Sequence, residues 1–291
     1  MKEFYVIDVE TANPDYSTIC QIGIAKFENG ELTETWETLI NPEVDFEQVN
    51  INKHGIEEPH VQDAPTFPDF HPKLKEVLSG NIVIHHTAFD RVALSRACEY
   101  YNLEGIEANW IDSSRIVRRV WEQFSHKGFG LDNIADLLNI KYKAHHALED
   151  AVAAGKVVVA AVKKSGVDVD GWLEKLKKRN RKSLTYDAKV HEDGNPDGVL
   201  FGETMVFTGT ISIPRIEAVK MAANLGCNVR DGITKETTLL VVGMQDPKKT
   251  KGQKKSGKQK KAEKYIDNGQ NIRILSEKDF LELLKLEDLD N

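Results

Sequence analysis

Two carboxylates lie two residues apart at the end of an apolar run near the start of the chain. Asp8 and Glu10 follow Phe4-Tyr5-Val6-Ile7, a pattern typical of a buried strand. Side chains alternate between the faces of a strand, so both carboxylates point the same way. Two like charges beside a buried run repel each other and lose hydration, and a bound divalent cation would offset that cost. The pair predicts a metal site, although a half-buried strand with an acidic polar face would show the same spacing.

Two further acids lie where helices are predicted to begin. Asp90 follows the strand pattern of residues 81–85, and Asp150 lies near the start of an apolar, helix-forming segment, residues 147–162. The helix dipole stabilises a carboxylate at a helix start, which is also a common purely structural role. If the fold gathers the four acids, they form a set of oxygen ligands of the kind that hard divalent cations prefer.

The elements that must position these acids form one α/β pattern over residues 1–162. Two strand-like runs are separated by Glu28-Asn29-Gly30-Glu31, in which Asn-Gly is a strong hairpin signal, so the sheet begins antiparallel. Strands then alternate with segments of helical apolar spacing, such as residues 88–101. This order predicts a mixed sheet flanked by helices.

The sequence changes character after this region. Residues 165–198 contain few large apolar residues and end in a turn-rich stretch, so they are predicted to form a basic linker between a first domain, residues 1–164, and a second, residues 199–291. In the second domain, strands alternate with helices over about ninety residues, which predicts a small parallel sheet. Residues 248–258 contain no apolar side chain and are predicted to form a lysine-rich, mobile loop.

The net charge of −7 conceals two basic windows. Residues 163–189 and 244–264 hold 18 of the 39 Lys and Arg residues but six of the 46 Asp and Glu residues. An acidic body with basic segments is typical of a metal-dependent enzyme that binds a polyanion outside its active centre. A solvated linker and a solvated loop would give the same counts.

The chain shows no pattern of membrane insertion or of secretion. No run approaches the roughly twenty apolar residues of a membrane helix, and the start lacks the features of a signal peptide. Cys20, Cys98 and Cys227 are widely spaced, which excludes a disulfide framework and a paired-cysteine zinc site. We expect a cytoplasmic protein with buried thiols and no membrane partner.

The combination Asp8-x-Glu10, Asp90 and His145-x4-Asp150 resembles the DEDD family of 3′-to-5′ exonucleases. The similarity is to the His-containing branch, which includes the proofreading subunit of the bacterial replicative DNA polymerase. It spans roughly residues 3–162 and includes the loop His54-Gly55-Ile56. The resemblance implies a ribonuclease H-like fold. It also implies two Mg²⁺ or Mn²⁺ ions held by Asp8, Glu10, Asp90 and Asp150.

The resemblance also implies that His145 is the general base that takes a proton from the attacking water. Periodicity favours a different residue, because on a continuous helix His146 shares the face of Asp150, whereas His145 lies about 140° away. His145 can serve only if it lies on the loop before the helix. One departure from the family is His86, which stands where Asn is usual, so the hydrogen bond of that amide is lost or altered.

Residues 199–285 resemble a BRCT domain, from the first strand and turn at residues 201–209 to Thr237-Thr238-Leu239-Leu240-Val241-Val242. The Trp of the family's last helix is absent, and Phe280 is nearest to it. In phosphate-binding members a hydroxyl, the next backbone amide and a Lys hold the phosphate. The matching residues here are Thr208, Gly209 and Lys261, with Arg215 as an addition. The structural alternative is a simple turn at Thr208-Gly209.

These features predict a metal-dependent 3′-to-5′ exonuclease that acts on the 3′ ends of DNA in repair or proofreading. Its BRCT module would bind DNA ends or a repair or replication protein. The predicted fold class is α/β, with a ribonuclease H-like mixed sheet flanked by helices and a small BRCT domain with a parallel sheet. An RNA exonuclease is the alternative enzyme, because readout of the 2′-hydroxyl depends on pocket shape. A binding scaffold with an inactive nuclease domain is the alternative of another class, and the presence of all five catalytic residues argues against it.

Overall fold

Two α/β units make up the chain, residues 1–178 and 179–291. They are seen in a computed structural model that describes residues 2–125, 128–177, 192–196, 198–245 and 255–289. Both units alternate strands and helices, as the order of apolar segments predicts. Within these described residues, no helix is both long enough and apolar enough to cross a membrane.

A five-stranded sheet forms the centre of the first unit. Its strands are β1 (Phe4–Thr11), β2 (Ile19–Glu28), β3 (Glu31–Leu39), β4 (Ile82–His85) and β5 (Asn109–Asp112). They lie in the order β3-β2-β1-β4-β5, with β1 antiparallel to β2 and parallel to β4. The hairpin between β2 and β3 turns at Asn29 and Gly30, both with positive φ, as a type I′ turn requires. The predicted mixed sheet is confirmed. The sequence patterns do not predict β5, because four residues are too few to show a period.

Helices flank this sheet. They are α1 (Gln48–His54), α2 (Glu58–Val61), α3 (Phe67–Leu78), α4 (Phe89–Tyr100), α5 (Ser113–Val120), α6 (Leu131–Leu138), α7 (Ala147–Ser165) and α8 (Val169–Lys177). α7 packs across β1 and β2, where Ala154, Val157 and Val158 are buried. In the same core, Phe4 and Phe27 stack with ring centroids 5.2 Å apart. The site described below lies where α7 begins.

α8 lies in the segment predicted as the linker, yet it packs on the first unit. Trp172 and Leu176 are buried in the same core as α7, because their helical spacing places them on one face. At the other end of the segment, Glu192 forms an antiparallel bridge with Val229 of the second unit. Both ends of the predicted linker, residues 165–198, therefore pack with a folded unit: α8 with the first and Glu192 with the second. Residues 178–191, between these contacts, lie outside the described residues.

The second unit contains a four-stranded sheet in which every pairing is parallel. Its strands are β6 (Thr204–Thr208), β7 (Asn228–Arg230), β8 (Leu239–Val242) and β9 (Arg273–Ser276), in the order β7-β6-β8-β9. Its helices are α9 (Arg215–Asn224), α10 (Gly257–Asp267) and α11 (Glu277–Leu289). The predicted parallel sheet is confirmed. Phe280 is fully buried against Phe207, with ring centroids 5.1 Å apart. Residues 248–254, which make up most of the predicted lysine-rich loop, lie outside the described residues.

Candidate active site

Three carboxylates meet beside the second half of β1. One oxygen from each of Asp8, Glu10 and Asp150 lies within 4.8 Å of the others. β1 presents Asp8 and Glu10 on one face, as strand alternation predicts, and the first turn of α7 supplies Asp150. All three side chains are half-buried. Oxygen donors at this spacing suit a hard divalent cation.

Asp90 lies next to this group without joining it. It is the second residue of α4, it is 3% exposed, and its Oδ1 accepts a hydrogen bond from the Val9 amide at 3.2 Å. Val9 separates Asp8 from Glu10, so this bond holds Asp90 against the strand that carries both. The fold therefore brings the four predicted acids into one region. Three of them are close enough to share a cation.

The accumulated negative charge is evident at Asp150. Burial raises the pKa of the Asp150 carboxyl, and nearby Asp90 and Asp132 raise it further, so that it reaches about 7. The backbone amides of His146 and His145 oppose this shift, and the His146 amide donates to Asp150 Oδ2 at 2.8 Å. A divalent cation would offset the repulsion between these acids. The donor set and its electrostatics therefore fit a metal site.

Asp150→Asn is expected to stabilise the metal-free protein, most of all at high pH. The folded protein retains the Asp150 proton up to about pH 7, whereas an unfolded chain loses it near pH 4. The free energy of unfolding of the wild type therefore falls as the pH rises through that window. Asparagine carries no charge and keeps an oxygen for the His146 amide.

Urea denaturation in EDTA measures this effect. The stability advantage of Asp150→Asn should be larger at pH 8 than at pH 5 by about 2 kcal/mol. Glu149→Gln, the same change at the exposed neighbouring residue, is the matched control. An advantage that is equal at the two pH values would contradict the raised pKa.

The two adjacent histidines have different surroundings. α7 begins at Ala147 with His146 as its N-cap, so His145 lies on the preceding loop, with a φ of 62°. A general base at His145 requires this loop position. The His146 ring lies near β3 instead, with its Nε2 3.3 Å from Glu37 Oε1. The ring of His146 thus contacts Glu37, and His145 precedes the helix.

His54 and its neighbours hold the end of β1. Its Nδ1 accepts a hydrogen bond from the Ile56 amide at 2.9 Å, so the proton lies on Nε2, which donates to the Thr11 carbonyl at 3.2 Å. Asn50 donates to the same carbonyl at 2.9 Å. Burial lowers the pKa of His54 to about 4, and nearby His145 contributes to the shift. The predicted loop histidine is therefore a neutral structural clamp close to His145.

His86, at the position where the family has Asn, ties the β4–α4 loop to other elements. Its Nε2 donates to the Phe129 carbonyl at 3.0 Å, and its Nδ1 lies 2.8 Å from Ser113 Oγ. The next residue, Thr87, has a φ of 71°, which is strained for a β-branched side chain. The Thr87 amide donates to Asp112 Oδ1 at 3.1 Å. These bonds hold the loop that leads into α4, where Asp90 lies.

The sequence patterns miss two polar residues beside the acids. The Tyr142 hydroxyl donates to Asp132 Oδ1. Burial raises the pKa of Tyr142, and Asp132, Asp150 and Asp8 raise it further, so the ring lies within electrostatic reach of the carboxylates. No periodicity marks either residue. The available signal is that Tyr142 lies three residues before His145.

A second polar site lies in the second unit. Thr208, Gly209, Arg215 and Lys258 help to line a cavity of about 250 Å³. Arg215 Nη2 donates to the Gly209 carbonyl, while Nη1 is buried with no hydrogen-bond partner among the described residues. Lys258 Nζ donates to the Phe207 carbonyl at 3.1 Å. Burial lowers the pKa of both cations, and Arg215 contributes to the shift at Lys258. An anion in the cavity would relieve this cost.

Lys258 lines this cavity, whereas Lys261, the lysine that the BRCT resemblance implied, is not among the lining residues. α10 begins at Gly257, and its N-cap Ser256 accepts a hydrogen bond from Thr208 Oγ1 at 2.9 Å. Lys258, in the first turn, reaches the cavity. Lys261 instead lies with its Nζ 5.7 Å from the centre of the Tyr265 ring. Because α10 begins at Gly257, its first turn carries Lys258 to the cavity, and Lys261 lies about one turn further along the helix.

Comparison with known families assigns both units. The family model described as Exonuclease matches residues 5–158, and the BRCA1 C Terminus (BRCT) domain model matches residues 196–284. The chain belongs to this exonuclease family and carries a BRCT domain. The first match covers the β1 acids, Asp90, His145 and Asp150. The second covers the cationic cavity.

Curated relatives are much longer than this chain. The DNA polymerase III PolC-type of Caldanaerobacter subterraneus subsp. tengcongensis is 29% identical over 166 residues, 56% of this chain and 12% of that protein. The 3′-5′ exonuclease DinG of Staphylococcus aureus is 26% identical over 196 residues, 65% of this chain and 20% of that protein. The chain thus spans a fifth or less of the length of these relatives. A solved structure of Exonuclease X in complex with 5′ overhanging duplex DNA aligns with a TM-score of 0.49 and 20% identity, covering 59% of this chain and 98% of that one.

Proposed function

We propose that the chain is a metal-dependent 3′-to-5′ exonuclease that hydrolyses DNA in repair or proofreading. The observation that carries the proposal is the group of Asp8, Glu10 and Asp150 oxygens, with Asp90 held beside them through Val9. Family membership supports phosphodiester hydrolysis. The names of the relatives, a DNA polymerase and a 3′-5′ exonuclease, support DNA as substrate and the 3′ end as the point of attack.

The residues of the site divide the work between metal binding and proton transfer. Asp8, Glu10, Asp90 and Asp150 would hold two divalent cations, Mg²⁺ or Mn²⁺. When bound, such ions supply a nucleophile from water at neutral pH and offset the charge on the leaving 3′ oxygen. His145 accepts the proton of the attacking water, because an imidazole is an effective base near pH 7.

Hydrolysis of defined substrates tests this function. The purified 291-residue protein is incubated with end-labelled DNA and RNA, single- and double-stranded, in Mg²⁺, Mn²⁺ or EDTA. We expect DNA to shorten stepwise from its 3′ end, and we expect EDTA to stop the reaction. Shortening of RNA alone would assign the RNA exonuclease alternative. Failure to hydrolyse any substrate with either ion would favour a binding scaffold.

The BRCT unit supports a second function, binding of a terminal 5′-phosphate on DNA. The supporting observation is Arg215 Nη1, which is buried and has no hydrogen-bond partner within the part of the chain that the structure describes, beside Lys258, Thr208 and Gly209. Phosphate oxygens accept several charge-assisted hydrogen bonds at once, which suits two neighbouring cations. The cavity would distinguish one end chemistry from another, whereas contacts with internal phosphates would not.

The Asp8→Ala variant of the 291-residue protein, which is expected not to degrade DNA, is predicted to bind a 5′-phosphorylated duplex about tenfold more tightly than the 5′-hydroxyl duplex. Thr208→Ala with Lys258→Ala should erase the difference and leave nonspecific affinity in place. Lys261→Ala removes the same charge from the same helix and should keep the difference. Equal affinity of Asp8→Ala for both ends at about 0.15 M salt, where charges are screened beyond roughly 8 Å, would favour a protein ligand instead.

A further inference from the structure

The first turn of α7 lies against the sheet at a close approach. Gly23 of β2 has no side chain, and a Cβ there would lie 2.2 Å from the Leu148 nitrogen and 2.3 Å from the Ala147 carbonyl carbon. Only glycine permits this contact, because backbone atoms cannot move aside as a flexible side chain can. Glu37 of β3 is the cross-strand partner of Gly23. Gln21 lies two residues before Gly23. Gln21, Gly23 and Glu37 together form the surface against which α7 begins, which we call the seat.

A series of hydrogen bonds joins this seat to the helix start. The Ala147 amide donates to Gln21 Oε1 at 3.1 Å, and Gln21 Nε2 donates to Glu37 Oε1 at 2.8 Å. His146 Nε2 lies 3.3 Å from the same Glu37 oxygen. Gln21 is 6% exposed and Ala147 is fully buried, so loss of the Gln21 amide would leave the Ala147 amide without a partner and away from water. These contacts hold His146 and Ala147 against β2 and β3.

His145 lies between this seat and a second anchor. Its φ of 62° is a left-handed conformation, which a non-glycine residue keeps when its surroundings over-determine it. Three residues earlier, Tyr142 is bonded to Asp132. The two residues that follow His145 are bonded to the seat. The chain is therefore restrained on both sides of His145.

We propose that Gln21 and Glu37 are positioning residues that hold the His145 loop in the geometry needed for general-base catalysis. This inference rests on the proposed exonuclease function. The two side chains act through the backbone of Ala147 and the ring of His146. A general base must lie within hydrogen-bond reach of the water that it deprotonates, and a displacement of about 1 Å can lower a rate by about 10²-fold. Residues that set the loop conformation therefore affect turnover without contacting the substrate.

Side chains of similar size test the proposal in the 291-residue protein. Gln21→Met and Glu37→Leu keep the volume and remove the hydrogen bonds, so each is expected to lower kcat about tenfold or more with little change in KM. Glu37→Gln keeps an oxygen that can accept from Gln21 and from His146, and it should retain kcat within about threefold. Glu31→Leu makes the same change at the exposed opposite end of β3 and serves as the control.

A double-mutant cycle with His145→Ala separates positioning of His145 from a general structural effect. If Gln21 acts through His145, Gln21→Met lowers kcat in the wild-type background and has little further effect in the His145→Ala background. An equal loss in both backgrounds would overturn the proposal. A Glu37→Gln protein as slow as Glu37→Leu would overturn it as well.

Amide hydrogen exchange gives a readout that does not need activity. The Ala147 amide is bonded to Gln21, so its exchange should become about tenfold faster in Gln21→Met, whereas Glu31→Leu should leave it unchanged. An unchanged exchange rate at Ala147 in Gln21→Met overturns the positioning role. A wild-type protein that shortens neither DNA nor RNA overturns the proposed function instead.

Discussion

Asp8→Ala or Glu10→Ala is expected to remove nearly all hydrolysis while the protein stays folded. Each change deletes an oxygen from the group that Asp8, Glu10 and Asp150 form, so the cations lose a ligand and kcat should fall to about a hundredth or less. The apolar side chains of β1, including Phe4 and Val6, lie in the core and are untouched. The fold therefore does not depend on the deleted carboxylates.

Turnover of end-labelled DNA in Mg²⁺ measures the loss. Asp63→Ala, the same change at an exposed acid, is the control and should be as active as the wild type. Urea denaturation in EDTA checks the fold, and we expect equal or higher stability because one of several neighbouring negative charges is gone. If either variant kept more than about a tenth of wild-type turnover, the carboxylate group would not be the metal site.

His145→Ala is expected to lower kcat by about 10²-fold or more, the usual contribution of a general base. His146→Ala should have a much smaller effect, because the ring of His146 contacts Glu37 and only its backbone amide bonds to Asp150. Single-turnover rates on one labelled substrate at saturating protein compare the two variants, and each serves as the control for the other. The reverse ranking would assign the base to His146.

Local patterns in the sequence determine most of the framework of both units. The apolar run before Asp8, the Asn29-Gly30 turn and the later alternation of strands with helices each depend on neighbours within a few residues. They predict the mixed sheet and the parallel sheet, and the structure confirms both. Strand alternation likewise places Asp8 and Glu10 on one face without any knowledge of distant contacts.

The choice between His145 and His146 as the general base cannot be made from the spacing of residues in the sequence. Periodicity selects His146 because it assumes that the helix extends through both residues, whereas the family resemblance selects His145. In the structure α7 begins just after His146, where the Ala147 amide bonds to Gln21, a residue 126 positions earlier. A contact between residues so far apart in the chain cannot be predicted from the spacing of residues within the loop, so the start of the helix cannot be predicted either.

Three contacts are visible only in the tertiary structure: Gln21 bonds to Glu37, Tyr142 bonds to Asp132, and Lys258 rather than Lys261 lines the cavity of the second unit. The first pair depends on the register between β2 and β3, and the lysine depends on the residue at which α10 begins. Short-range periods specify which face of an element is buried. Tertiary packing determines which polar side chains from different elements contact each other. A hydrogen bond needs its two heavy atoms within about 3 Å, and sequence spacing does not determine that distance.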